Sequence, residues 1–184
     1  MKNLKNKIES YNKSNTDFVI KPIFSRGGRN VIVVKTSQKT NVLYFNKKRE
    51  VQINKNYFNN NQNKFLLQFK KKFPVILMER MFEPNLDIDI LSWKGKLIKY
   101  VIRQRIGFQA SKGSIILKPN NSIKKLLKKI TKLFNLTGIY DCDFMFSKQK
   151  SPILIELNPR ISGSLYASIS AGAHLVDDLI SLTI

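Results

Sequence analysis

Residues 138–160 read GIYDCDFMFSKQKSPILIELNPR and gather the groups best able to do chemistry. Two runs of mixed apolar and acidic residues flank the polar stretch SKQKSP, which predicts a β-hairpin. Pairing Phe146 with Ile153 across the turn sets Asp143 opposite Glu156 and Asp141 opposite Asn158. Side chains alternate along a strand, so these four polar groups share one face. Tyr140, Cys142, Phe144, Ile155 and Leu157 fall on the other. Two carboxylates opposed in a ladder repel each other. A hard divalent cation, Mg²⁺ or Mn²⁺, takes oxygen ligands and would relieve that repulsion, and Asn158 adds a neutral oxygen two residues along. Asp143, Glu156 and Asn158 are the candidate metal ligands. A solvated outer face that tolerates the mismatch is the competing reading.

A second cluster lies in FVIKPIFSRGGRN. Lys21 ends an apolar strand, where an ammonium needs an anion or a route to water. The turn after it offers Ser25, Arg26, Gly27, Gly28 and Arg29. Glycines let backbone N–H groups approach a phosphate, and arginines add charge. The stretch is neither a Walker A loop nor a dinucleotide fingerprint, and an ordinary hairpin turn explains its glycines equally well. A phosphate grip and a metal grip in one small chain point together to a nucleoside triphosphate.

Elements must position these groups. Strands are expected near residues 18–23 and 30–35, with VLYF as a third. Residues 46–63, rich in Asn and Lys, read as a loop or irregular segment, NQNKFLLQFKKKF reads as a helix candidate, and residues 1–16 carry little structural signal. PVILMERMFEP, LDIDIL, KLIKYVIRQR and GSIIL read as strands, with a turn at Gly95. SIKKLLKKITKLF is the clearest helix, with Ser122 as its expected N-cap and lysines on its solvated face. Two strands and one helix finish the chain. The class is α+β, mostly antiparallel.

The 184 residues carry 33 Lys and Arg against 12 Asp and Glu, a net charge of +21. Such a charge fits a polyanion partner, but the lysines are spread over the whole length, and no base-stacking motif or zinc finger accompanies them. Compositional drift is the favoured reading and nucleic acid the disfavoured one. One cysteine, Cys142, excludes an internal disulfide and fits a reducing cytoplasm. No apolar run is long enough for a membrane span.

The ordered blocks VIKP…RGGRNV, ILMERMFEPNLDIDIL, VIRQRIG, GIYDCDF and IELNPRISGS resemble the ATP-grasp superfamily over residues 17–184. The likeness is to its carbamoyl-phosphate-synthetase-like and carboxylate–amine ligase members. The resemblance implies a polar segment 1–16, a small lobe 17–78 and a large lobe 79–184 that grip ATP between their sheets. It implies transfer of the γ-phosphate to a carboxylate, giving an acylphosphate that an amine or thiol attacks. In that frame Lys21 holds the α- and β-phosphates, and Ser25, Arg26, Gly27 and Gly28 lie over them. The backbone of Glu79, Arg80, Met81 and Phe82 reads adenine. Asp143, Glu156 and Asn158 hold Mg²⁺ or Mn²⁺. Arg160 stabilises the transferring phosphoryl group, Arg103 and Arg105 meet phosphate or substrate, and the Ser162–Ser164 turn borders the acceptor pocket. Asn85 stands where the family commonly has a ribose-binding Glu, with Asp87 on the same strand face to compensate. The family's N-terminal domain and first small-lobe segment, with a further phosphate-facing lysine, are not recognised in residues 1–16. The implied partners are small-molecule carboxylates and amines and a separate polypeptide carrying the N-terminal domain. A catalytically inactive remnant is the alternative, and a basic nucleic-acid-binding protein the less favoured one.

Overall fold

The structure is a computed structural model that describes residues 2–24, 29–45, 50–70, 74–106 and 113–184, without the side chains of Lys2 and Phe45. The chain divides into two compact units, residues 1–80 and 81–184.

The first unit opens with helix α1 (Lys2–Lys13), followed by strands β1 (Phe18–Pro22), β2 (Val31–Lys35), β3 (Val42–Phe45) and β4 (Glu50–Asn54). Helices α2 (Lys55–Asn60) and α3 (Gln62–Leu67) and strand β5 (Val75–Glu79) complete it. The sheet order is β3-β4-β2-β1-β5, with β2 and β4 parallel and the other neighbours antiparallel.

Two segments differ from the sequence expectation. Residues 2–13 are helical, because Leu4 and Ile8 recur one turn apart and bury against Phe18, Ile20, Ile32, Val34 and Ile53. A helix this short is marginal in water, so docking on the sheet supplies what its polar composition does not. Residues 50–60 are β4 and α2 rather than a loop, while α3 falls within the helix expected in NQNKFLLQFKKKF. Asn54 caps α2 by accepting hydrogen bonds from the N–H groups of Asn56 (2.9 Å) and Tyr57 (3.1 Å). Phe58 and Leu66 are then carried into the core. Buried Lys55 donates to the carbonyls of Tyr11 (3.1 Å) and Asn12 (3.4 Å), tying the end of α1 to the start of α2. Burial pushes its ammonium below the usual lysine range.

The second unit contains β6 (Phe82–Trp93), β7 (Lys96–Arg105), β8 (Ser114–Leu117), α4 (Asn121–Leu133), β9 (Gly138–Phe146), β10 (Pro152–Asn158), α5 (Leu165–Ser170) and α6 (Leu175–Thr183). Its sheet runs β10-β9-β6-β7-β8, and each neighbouring pair is antiparallel. Lys94 and Gly95 both have positive φ, 46° and 75°, in the two-residue turn that joins β6 to β7. The alternation of LDIDIL sends Leu86, Ile88 and Ile90 to one sheet face. There they pack with Ile102, Cys142 and Phe144 under Ile123, Leu127 and Ile130 of α4. Asn120, not Ser122, caps α4, because its side chain accepts from the N–H groups of Ser122 (2.9 Å) and Ile123 (3.1 Å). The opposite face is divided. At one end Leu91, Val101 and Ile139 pack with Ala173 and Leu175. At the other end lie charged residues. The chain closes with two helices, α5 and α6, where one was expected.

Candidate functional site

Adjacent rungs of the second sheet build the charged end of its face. Asp87 of β6 pairs with Arg103 of β7 on one side and Asp143 of β9 on the other, and Asp143 pairs with Glu156 of β10. On the next rung Asp89 pairs with Asp141, and Asp141 with Asn158. The expected oppositions Asp143–Glu156 and Asp141–Asn158 are both present. The expected pairing at the turn is not: Phe146 faces Pro152, and Ile153 faces Met145. A β-bulge between Leu154 and Glu156 shifts the register by one residue and delivers Glu156 to the polar face.

Arginines answer most of these acids. The Arg103 side chain is 0% exposed. It donates from Nε to Asp89 Oδ2 (3.1 Å) and from Nη2 to Asp89 Oδ1 (2.9 Å), and further to the hydroxyls of Ser162 (3.1 Å) and Ser164. Arg105 forks onto Asp87, from Nε at 3.1 Å and from Nη2, and its Nη2 stands 3.6 Å from Asp143. Burial alone would lower the pKa of Arg105, but the bond to Asp87 and the charges of Asp87 and Asp143 outweigh it, and the net shift is upward. Arg160 reaches Asp141 at 3.0 Å, with 57% of its side chain exposed. Burial, offset in part by Arg160, raises the Asp141 carboxyl. Asp143 is pushed up to about 7, first by burial and then by Asp87, with Arg105 pulling the other way. Asp143 is thus costly to ionise in place even with Arg105 as its ion-pair partner.

The donors Asp143, Glu156 and Asn158 offer oxygens on one face, and the Asp143 carboxylate, costly to ionise in place, would gain from a cation. The set fits a hard divalent ion. Among the described residues no group of three or more His, Cys, Asp or Glu side chains forms a metal cage. Two carboxylates and an amide match the partial protein shell with which Mg²⁺ meets phosphate and water.

The other expected site residues are placed as follows. Lys21 is half-buried near the end of β1, paired in register with Ile76 of β5. Ser25, Arg26, Gly27 and Gly28 lie outside the described residues. Glu79 ends β5. The Arg80 N–H donates to the carbonyl of Asp17 (3.0 Å), and its guanidinium meets the Asp17 carboxylate at 3.3 Å. Met81 and Phe82 begin the second unit, and Asn85 is half-buried in β6. Asp87 is 5% exposed and held by Arg103 and Arg105, so it does not stand in for a ribose-binding Glu. Arg103 is likewise enclosed, with its donors turned to Asp89, Ser162 and Ser164. Sequence reasoning passed over Asp89 and Ser168, whose hydroxyl donates to Asp89. The alternation of LDIDIL put Asp89 beside Asp87, but nothing marked Ser168. A concavity of about 450 Å³ lies at the hairpin tip, lined by Phe82, Glu83, Pro84, Phe146, Ser147, Lys148 and Lys150 and by none of the carboxylates just described.

Residues 71–183, more than half of the chain, match the family model described as ATP-grasp in the biosynthetic pathway with Ter operon. The chain belongs to this ATP-grasp family. No curated protein matches it. Among solved structures it is similar to the biotin carboxylase domain of Hydrogenobacter thermophilus 2-oxoglutarate carboxylase, solved with MgADP, ADP and bicarbonate. The TM-score is 0.56 at 16% identity, covering 89% of this chain and 35% of that one. It is also similar to a Campylobacter jejuni biotin carboxylase–βγ-ATP complex (TM-score 0.57, 15% identity, 92% and 37% covered). Bacillus anthracis D-alanine–D-alanine ligase with ATP gives 0.52, 13% identity, and 94% and 54% covered. These likenesses establish the ATP-grasp fold. This ATP-grasp chain spans about a third to a half of the length of those structures. No described helix is long and apolar enough to cross a membrane.

Proposed function

We propose that this chain is the ATP- and Mg²⁺-binding part of a carboxylate–amine or carboxylate–thiol ligase that works through an acylphosphate. The observation that carries the reading is the Asp143–Glu156 rung with Asn158 beside it, an oxygen-only set on one sheet face. Asp143, Glu156 and Asn158 would hold the metal, which when bound would offset charge on the phosphate oxygens. Lys21 holds the α- and β-phosphates, and the backbone of Glu79 to Phe82 reads adenine. Arg160, mostly exposed and steadied by Asp141, stabilises charge on the phosphoryl group as the acceptor carboxylate attacks it. Arg105 offsets the repulsion between Asp87 and Asp143 and adds positive charge beside the site. The Ser162–Gly163–Ser164 turn borders the acceptor pocket.

A chain that binds nucleotide without turnover is the second reading. It is favoured by the commitment of Arg103 and Arg105 to aspartates, which leaves Arg160 as the exposed member of the three expected arginines. Thermal shift with millimolar ATP, with and without Mg²⁺, tests binding. The expected result is a higher melting temperature with Mg·ATP that Glu156→Gln diminishes, because a ligand that binds only the folded state stabilises it. No shift in the wild-type chain would overturn the nucleotide reading. ADP release with a panel of carboxylates and amines then separates the ligase from the inactive form.

A further inference from the structure

Arg103 and Asp89 sit at the centre of a closed buried network. Both side chains are 0% exposed and meet in a two-point fork. Asp89 also accepts from Ser168 of α5, and Arg103 donates onward to the Ser162 and Ser164 hydroxyls. Those hydroxyls lie 3.1 Å apart, and Ser162 Oγ further accepts from the Ser164 N–H at 3.2 Å. The turn therefore spends its hydroxyls inward. A Cβ built on Gly163, at its apex, meets nothing within 4 Å, so the outward side is open.

We propose that Asp89 and Arg103 are positioning residues. They lock the Ser162–Gly163–Ser164 turn from beneath, so that its backbone and open apex, rather than its hydroxyls, face the acceptor substrate. The functional part rests on the ligase reading above; the mechanical part does not. An arginine is suited to this because its planar fork grips a carboxylate at two points while its remaining N–H groups reach two hydroxyls. Lysine keeps the charge and loses the fork.

Hydrogen exchange of the full chain, read by mass spectrometry, tests the lock. In Ser162→Ala, Ser168→Ala and Arg103→Lys, peptides spanning residues 159–166 should exchange at least about tenfold faster, as expected when a local hydrogen-bonded unit opens independently. Peptides from β6, β7 and α4 should keep wild-type rates. Ser162→Thr, which retains the hydroxyl, should restore protection. Unchanged exchange at 159–166, uniform acceleration across the second unit, or failure of Ser162→Thr to rescue would overturn the proposal. If Arg103→Lys does not fold, the serine variants decide. Mg·ATP thermal shifts on the same proteins keep the two readings apart. Absence of a shift in the wild type removes the ligase reading, while exchange still judges the lock.

Discussion

Replacing Arg103 by Met is the sharpest perturbation of the second unit. The guanidinium and the Asp89 carboxylate are both 0% exposed and joined at 2.9 and 3.1 Å. Removing the cation leaves Asp89 charged in the interior with Ser168 as its remaining hydrogen-bond donor, and leaves the Ser162 and Ser164 hydroxyls without their arginine. Breaking a buried pair in this way costs about 3–5 kcal/mol. Against a typical stability of about 5–15 kcal/mol this is a large fraction. In a unit of roughly a hundred residues each kcal/mol lowers the melting temperature by about 4–8 °C. The double variant Arg103→Met with Asp89→Leu removes both charges and should recover to within about 1–2 kcal/mol of wild type, since apolar replacement of a whole buried pair is often neutral. Urea unfolding followed by fluorescence is the assay. The single tryptophan, Trp93, lies in β6, so the signal reports the second unit. A loss below about 1 kcal/mol in the single variant, or a double variant no more stable than the single, would refute the argument.

Three further outcomes are expected. Because Asp143 is raised to about 7 when folded, the folded chain binds its proton more tightly than the unfolded chain does. Its contribution to stability is therefore lost as pH rises from about 4 through about 7, where an ordinary carboxyl has already ionised. Subtracting the pH profile of Asp143→Asn from that of the wild type should expose this falling slope, and a rising difference would contradict it. At the start of α4, Asn120→Ala should cost about 1 kcal/mol in urea unfolding. Ser122→Ala should stay within about 0.5 kcal/mol. In the first unit, Lys55→Met should speed proteolysis near residues 11–16, because the carbonyls of Tyr11 and Asn12 lose their ammonium; unchanged cleavage would show that the ammonium does not hold the end of α1.

Legibility followed physical type. The alternation of LDIDIL and the helical spacing of Ile123, Leu127 and Ile130 were readable because burial enforces them over several residues. The Asp143–Glu156 opposition was readable from the acidic pattern, although the pairing assumed at the turn was off by one, and the bulge cancelled the error. Residues 50–60 were hidden because Asn and Lys dominate the composition while Ile53 and Phe58, with Val51 and Tyr57 beside them, bear the packing. Ser168 was hidden because its partner Asp89 lies 79 residues away in the chain. A serine in a short helix carries no local sign of a distant carboxylate. Arg103 was read as a ligand group for the same reason: sequence shows its charge but not the Asp89 that absorbs it.

The bulge in β10 also bears on how this hairpin tolerates insertions and deletions. Leu154 still faces Phe144, and Glu156 already faces Asp143, so Ile155 is supernumerary to the ladder. A one-residue deletion inside a strand ordinarily turns every later side chain inside out. Here, deleting Ile155 would leave a regular ladder with Glu156 and Asn158 on their present face. Deleting Leu157 instead would shift the phase of Asn158 and everything beyond it. The hairpin thus has one place where its length can drift without cost to the site, and that place is inside the strand rather than in the loop.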